Sequence, residues 1–254
     1  MKRPPGALTL RRVTTFEDAA DEASWVIQDA KAIHIDDSLN TFVFRAEIHR
    51  PGDSTPLDAV LKLDPTGERQ EAFMNETRAY QTTGRPFQAN VLPDFFGCFE
   101  TRIGSTTVTC LAIEYCGDPM EQTYTKLIIH SCALSFFEIS GPFLIAQFRY
   151  ELIEYAALLH QHGMTHGDIY PQNILVSDGH PVLIDLESSE KHTCCLRMKI
   201  VPGTMMPWEE EFGCKELFDL ISRMGLWKPS TCYISAFRRQ ILMLAFFRRP
   251  LFLR

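Results

Sequence analysis

One stretch constrains the architecture of this chain more than any other: His166-Gly167-Asp168-Ile169-Tyr170-Pro171-Gln172-Asn173-Ile174-Leu175, followed by Leu183-Ile184-Asp185. It sets an aspartate, an asparagine five residues on, and a second aspartate 12 residues after that. Two short runs, residues 174–176 and 181–185, read as strands that flank those polar groups. A lone Asp or Asn in a loop is most often a turn former. Here the spacing and both strands occur together, which points to chemistry. One carboxylate can orient an attacking hydroxyl, while an amide oxygen and a second carboxylate suit a hard cation such as magnesium.

Around this centre the pattern is mixed. Thr15-Phe16-Glu17-Asp18 reads as a capped helix start and predicts a helix over residues 15–30, with Phe16, Ala19, Ala20, Ala23 and Ile27 on one side. Strands are expected at 31–37 and 41–48, joined by a turn at 38–40, and a third at 57–63 after a loop built on Pro51-Gly52-Asp53-Ser54. A helix over 67–83 and strands at 91–99 and 107–115 follow. Beyond Gly117 the period turns helical. Phe148, Leu152, Tyr155 and Leu159 form an apolar stripe, and Gly163 sits where a left-handed terminating residue belongs. The segment from Gly213 fits one more helix with Leu217, Ile221 and Met224 inward, ending at Gly225. The chain is therefore expected to be α+β. An N-terminal helical extension (1–30) precedes a small β-rich lobe with one key helix (31–116). A shortened, mainly helical large lobe (117–230) and a basic-apolar tail (231–254) complete it.

Charge and cysteine usage narrow the classes. The net charge is −7, yet the last 18 residues hold five arginines and no acid, so the body is more acidic still. An acidic body argues against nucleic-acid binding, which depends on neutralising phosphates. The tail mixes Arg with Phe and Leu, a composition that suits either a plain C-terminal helix or contact with an anionic membrane surface. Residues 127–148 and 241–253 are apolar but interrupted, short of the roughly 20 residues a spanning helix needs. Eight cysteines show no C-x-x-C pair and no zinc-like Cys/His spacing, and Cys194 and Cys195 are adjacent. Free thiols in a reducing compartment are expected. No apolar core follows Met1-Lys2-Arg3-Pro4-Pro5, so an intracellular, cytoplasmic location is expected.

Lys62 lies in Ala59-Val60-Leu61-Lys62-Leu63. A lysine inside an apolar strand is costly unless its ammonium meets a carboxylate or phosphate, or snorkels to water at a sheet edge. Glu76 breaks the tie. On a helical wheel it falls between Phe73 and Tyr80 on one side and Ala72 and Ala79 on the other, toward the packed face. Glu71 projects the opposite way. A buried-side glutamate 14 residues after the strand lysine suits an ion pair between helix and sheet.

With these residues in view, the chain resembles the protein-kinase-like superfamily, whose catalytic loop reads H-R-D-x-x-x-x-N and whose metal segment reads D-F-G. The forms His-Gly-Asp and Ile-Asp-Leu-Glu look more like the aminoglycoside and choline kinase branch, or the atypical kinase-like proteins of fungi. The resemblance covers residues 31–120 and 145–228. It implies a bilobal kinase-like fold that uses ATP and Mg2+. In that reading Lys62 and Glu76 hold the nucleotide phosphates, Asn173 and Asp185 ligate magnesium, and Asp168 orients the acceptor hydroxyl. Glu114-Tyr115-Cys116 would join the lobes, with backbone groups at Glu114 and Cys116 meeting the adenine. His166 would pack under the loop and fix its shape.

Three departures matter. No G-x-G-x-x-G lies between the first two strands; the turn there is Asp36-Asp37-Ser38-Leu39-Asn40, which lacks a glycine cradle for phosphates. Gly167 replaces the arginine that would read a phosphorylated activation loop, and Asp185-Leu186-Glu187 replaces D-F-G. Only 69 residues follow Asp185, with no Ala-Pro-Glu among them; residues 231–254 have no counterpart in the family, and residues 126–140 fit poorly between the lobe-connecting segment and the next helix. The leading expectation is an ATP- and magnesium-dependent phosphotransferase whose acceptor, a protein or a small molecule, is unknown. The alternative is a pseudokinase acting as a binding or scaffold module. A third possibility, an interaction protein working through its basic tail, rests on residues 237–254 alone.

Overall fold

The computed structural model describes residues 8–12, 25–36, 41–119 and 141–228. The N-terminal half is an antiparallel sheet of β1 (Leu8–Arg12), β2 (Trp25–Asp36), β3 (Thr41–His49), β4 (Leu57–Asp64), β5 (Phe95–Ile103) and β6 (Thr106–Glu114). Its order is β1-β2-β3-β4-β6-β5, and the short β1 closes it by pairing with both β2 and β5. Side chains alternate across the strands, so each strand serves two cores. Ala59 and Leu61 of β4, with Cys110 and Ala112 of β6, fill the barrel together with Leu10, Trp25, Ile27 and Phe99. Val60, Leu111 and Ile113 face the other way and join the larger core. That same alternation points Lys62 out of the barrel, toward α1 (Gln70–Gln81).

Asp64 launches α1. Its carboxylate is buried and accepts the backbone N–H groups of Thr66, Gly67 and Arg69. Those residues are thereby held as a turn, and the helix begins at Gln70 rather than at the expected residue 67. Phe73, Glu76 and Tyr80 share its buried face, and Tyr80 stacks on Phe95 with centroids 5.3 Å apart.

The C-terminal half contains α2 (Gly141–Gln161), α3 (Glu209–Phe212) and α4 (Lys215–Arg223) with two small sheets. One sheet is the hairpin of β9 (Ile174–Ser177) and β10 (His180–Leu183), with β7 (Asp118–Pro119) against β9. The other pairs β8 (Met164–Thr165) with β11 (Glu190–Lys191). On α2, Phe148, Leu152 and Leu159 are buried, as the stripe predicts, and Gly163 takes φ +86 just past its end. Leu217, Ile221 and Met224 are buried on and just after α4. One core runs from Phe73, Tyr80 and Leu111 through Leu152 and Leu159 to Ile174, Leu183, Leu217 and Ile221, so the halves share an interior.

The α+β expectation holds at this level, with corrections. The helix expected over 15–30 is wrong where it can be compared: residues from Trp25 onward are β2, and Leu8–Arg12 is also a strand. Trp25 and Ile27 are buried at alternate positions, with Trp25 against Phe99, and this period of two overrides the alanine-rich helical pattern. The strand expected at 91–99 begins at Phe95, because the Val91 and Leu92 amides bond back to the Phe87 carbonyl in a turn. The strand expected at 181–185 stops at Leu183. Residues 13–24, the 37–40 turn, the 120–140 segment and the 229–254 tail lie outside the described residues. No helix among the described residues is long and apolar enough to cross a membrane.

Candidate functional site

Lys62 sits where the two halves meet. Its ammonium donates to both carboxylate oxygens of Glu76, at 3.1 and 2.9 Å, and to Asp185 Oδ1 at 3.0 Å. Glu187 Oε1 lies 3.9 Å away and is itself paired with Arg69. Glu76 is 0% exposed, whereas Glu71 is exposed, as the helical wheel predicts. Burial alone would lower the Lys62 pKa, but Glu76, Asp185 and Glu187 outweigh it and hold the group protonated. Glu76 is pushed up to about 7, first by burial and then by Asp185 and Glu187, against the pull of Lys62. Burial pushes Asp185 up as well, but Lys62 more than offsets this and its carboxyl lies below the ordinary value.

The site is thus one cation among three carboxylates, with Arg69 on the outer one. Oxygens of Glu76, Asp185 and Glu187 lie within 4.8 Å of one another, a hard-donor set of the kind magnesium takes. Glu76 spends both oxygens on Lys62, which leaves Asp185 and Glu187 as the better pair for a metal. Asp185 adopts a left-handed conformation, φ 70 and ψ 73, that costs roughly 1 kcal/mol or more for a residue other than glycine. Asn75 of α1 helps to hold that turn by donating to the carbonyls of Glu187 at 2.6 Å and Ser189 at 3.0 Å.

Asp168 and Asn173 meet at the other wall. Asn173 Nδ2 donates to Asp168 Oδ2 at 2.8 Å and to the Asp168 carbonyl at 3.0 Å. The Ile184 amide bonds to the Asn173 carbonyl at 3.0 Å, so Asn173 and Asp185 leave the same end of the β9–β10 hairpin. His166 is fully buried between the two aspartates' backbones. Its Nε2 donates to the carbonyl of Ile184 at 3.0 Å, and its Nδ1 accepts the Asp168 amide at 3.3 Å. Burial holds its pKa below the usual value despite nearby carboxylates. A neutral ring with both nitrogens occupied shapes the loop, as the sequence suggests.

One residue that the sequence reading passed over organises this loop. Glu216, at the start of α4, accepts the Gly167 amide at 2.6 Å and the His166 amide at 3.2 Å, and it also pairs with His160. Burial raises its pKa, but His160 and the Gly167 amide outweigh that and keep it ionised. Gly167 has a local structural reason. At φ +85, a Cβ there would lie 2.1 Å from the Ser188 carbonyl oxygen. Gly167→Ala is therefore expected to destabilise the fold by well over 1 kcal/mol in urea titration. Gly179→Ala, also left-handed (φ +87) but with nothing within 4 Å, is the control and should lose only the backbone strain.

Glu114 ends β6, and Cys116 follows two residues later. The Glu114 carboxylate accepts the Asp94 amide at 3.2 Å and the Cys116 thiol at 3.5 Å, so its side chain ties the start of β5 to the residues after β6. The Glu114 and Tyr115 amides bond to Asp94 and Asp58 carbonyls, and the ladder ends there, with Cys116 next in line. No protein-family model matches the chain, and no curated protein matches it.

Proposed function

We propose that this chain is an ATP- and magnesium-dependent phosphotransferase with a kinase-like fold, acting on a hydroxyl acceptor. The observation that carries the reading is the Lys62 ammonium, shared by Glu76 of α1 and Asp185 of the opposite half. A buried lysine set beside an excess of carboxylates suits a site completed by phosphates and a divalent cation. Lys62 would donate to the nucleotide phosphates, with Glu76 fixing its position. Asp185, with Asn173 and Glu187 nearby, would hold magnesium, which supplies positive charge to the phosphate oxygens. The Asp168 carboxylate, steadied by Asn173, would orient the acceptor hydroxyl and receive its proton as the new O–P bond forms. The bond from the γ-phosphorus to the bridging oxygen breaks, and ADP leaves. Backbone groups at Glu114 and Cys116 would take the adenine.

The competing reading is a pseudokinase scaffold. It is favoured by the sequence between Asp36 and Thr41, which has no glycine to let the backbone approach phosphates. Thermal unfolding with and without Mg-ATP separates binding from its absence. Ligand at 100 times its dissociation constant should add about 2.7 kcal/mol, and ATP consumption with a panel of hydroxyl acceptors then tests turnover. Stabilisation without turnover favours the scaffold. No stabilisation at millimolar Mg-ATP removes the nucleotide from both readings.

A further inference from the structure

Behind the catalytic-type loop, four side chains from three separate parts of the chain converge. His160 lies in the last turn of α2, His192 and Cys194 just beyond β11, and Cys214 immediately before α4. One donor atom from each lies within 4.8 Å of the other three. Cys214 Sγ is 3.3 Å from His160 Nδ1 and 3.8 Å from His192 Nε2. Zinc bound tetrahedrally by sulfur and imidazole, at about 2.3 and 2.0 Å, sets S···N edges of about 3.6 Å. Cys214 thus already stands from both histidines at nearly the separations such an ion would impose. His160 and Cys214 are each 2% exposed, and His192 and Cys194 are partly buried, so the cluster is a built interior site with one side toward solvent.

We propose that His160, His192, Cys194 and Cys214 form a structural zinc site. Two thiolates and two imidazoles select zinc over magnesium or calcium, which prefer oxygen. The surroundings agree with the assignment. Glu216 pairs with His160 Nε2, so that nitrogen carries the proton and Nδ1 turns its lone pair toward Cys214. A carboxylate behind a histidine ligand fixes the tautomer and raises the basicity of the metal-facing nitrogen. The β8–β11 ribbon, continued by the His192 amide on the Gly163 carbonyl at 2.8 Å, brings His192 to the end of α2. The left-handed Gly213 (φ +91), where a Cβ would lie 2.2 Å from the Cys195 carbonyl oxygen, lets Cys214 close the set.

The site would do more than tie three segments together. Glu216 holds His160 with the same carboxylate that accepts the His166 and Gly167 amides. An ion fixing His160 would therefore also fix Glu216, and through it the loop that carries Asp168. This inference stands whether or not the chain transfers phosphate.

The test uses the full chain, purified under reducing conditions without chelator or added metal, with metal content measured by plasma mass spectrometry. The expected result is about one zinc per chain in the unaltered protein and in Cys195→Ser, and almost none in Cys194→Ser or His192→Ala. Because those variants could misfold, a second measurement needs no substitution. Cobalt(II) added to protein stripped with a zinc-selective chelator should give the intense visible bands of a tetrahedral dithiolate site. Hydrogen exchange at the Gly167 amide should be faster in the stripped protein than in the reloaded one. Folded protein that carries no zinc and gives no such bands with cobalt overturns the proposal. So does a Cys194–Cys214 disulfide in a non-reducing peptide map, or zinc that survives Cys194→Ser and is lost in Cys195→Ser.

Discussion

Asp168→Ala is expected to lower phosphoryl transfer by about 10²- to 10⁴-fold, the usual contribution of a positioned general base, while leaving Mg-ATP stabilisation unchanged. The separation follows from where Asp168 is bonded. Its amide and carbonyl are held by His166 and Asn173, and those backbone bonds survive truncation of the side chain. The carboxylate itself is bonded to Asn173 and makes no hydrogen bond to Lys62, whose partners are Glu76 and Asp185. In the proposed mechanism, nucleotide binding and the step that moves the proton are thus carried by different residues. Transfer within tenfold of the unaltered protein would take Asp168 out of the proposed mechanism.

The second large effect concerns stability. Lys62→Met is expected to cost about 3–5 kcal/mol, because it leaves a buried carboxylate without its cation. The cost should depend on pH in a definite direction. Glu76 ionises near 4.5 in an unfolded chain and at about 7 in the fold, so the folded state binds the proton more tightly. A group of that kind takes stability away as pH rises from about 4.5 to about 7, and no further above that. Removing Lys62 deletes the main influence holding Glu76 down, so its folded pKa climbs and the loss continues past 7. The gap between the variant and the unaltered protein should therefore widen from about pH 6 to about pH 9 in urea titrations. Lys62→Met combined with Glu76→Met should recover most of the loss. An equal gap at both pH values would trace the effect to packing rather than to charge.

What the sequence revealed and what it hid follow from chain distance. Asp168, Asn173 and Asp185 were legible because their spacing is local and two short strands flank it. Lys62 and Glu76 were legible because strand alternation and a helical wheel each fix a direction, and the two elements are consecutive. β2 was misread at its start. A run with Phe16, Ala19, Ala20, Ala23 and Ile27 satisfies a helical period, and nothing nearby tells of a barrel wall whose partner, Phe99, is far along the chain. Glu216 escaped for a similar reason, since its contacts to the loop span about 50 residues. The absence of zinc-like spacing is true of the linear sequence. It did not bear on His160, His192, Cys194 and Cys214, which three folded segments bring together. No disulfide joins the six described cysteines.

β1 has a consequence for association. Its first residues pair with β2 and its last with β5, so a strip of five residues seals what would otherwise be two open rims. An open rim displays unpaired amides and carbonyls that recruit a foreign strand, and closing the cylinder withdraws that invitation. Trimming residues 8–12 should therefore leave a sticky face, with β2 and β5 as the first backbones to zip onto a neighbour.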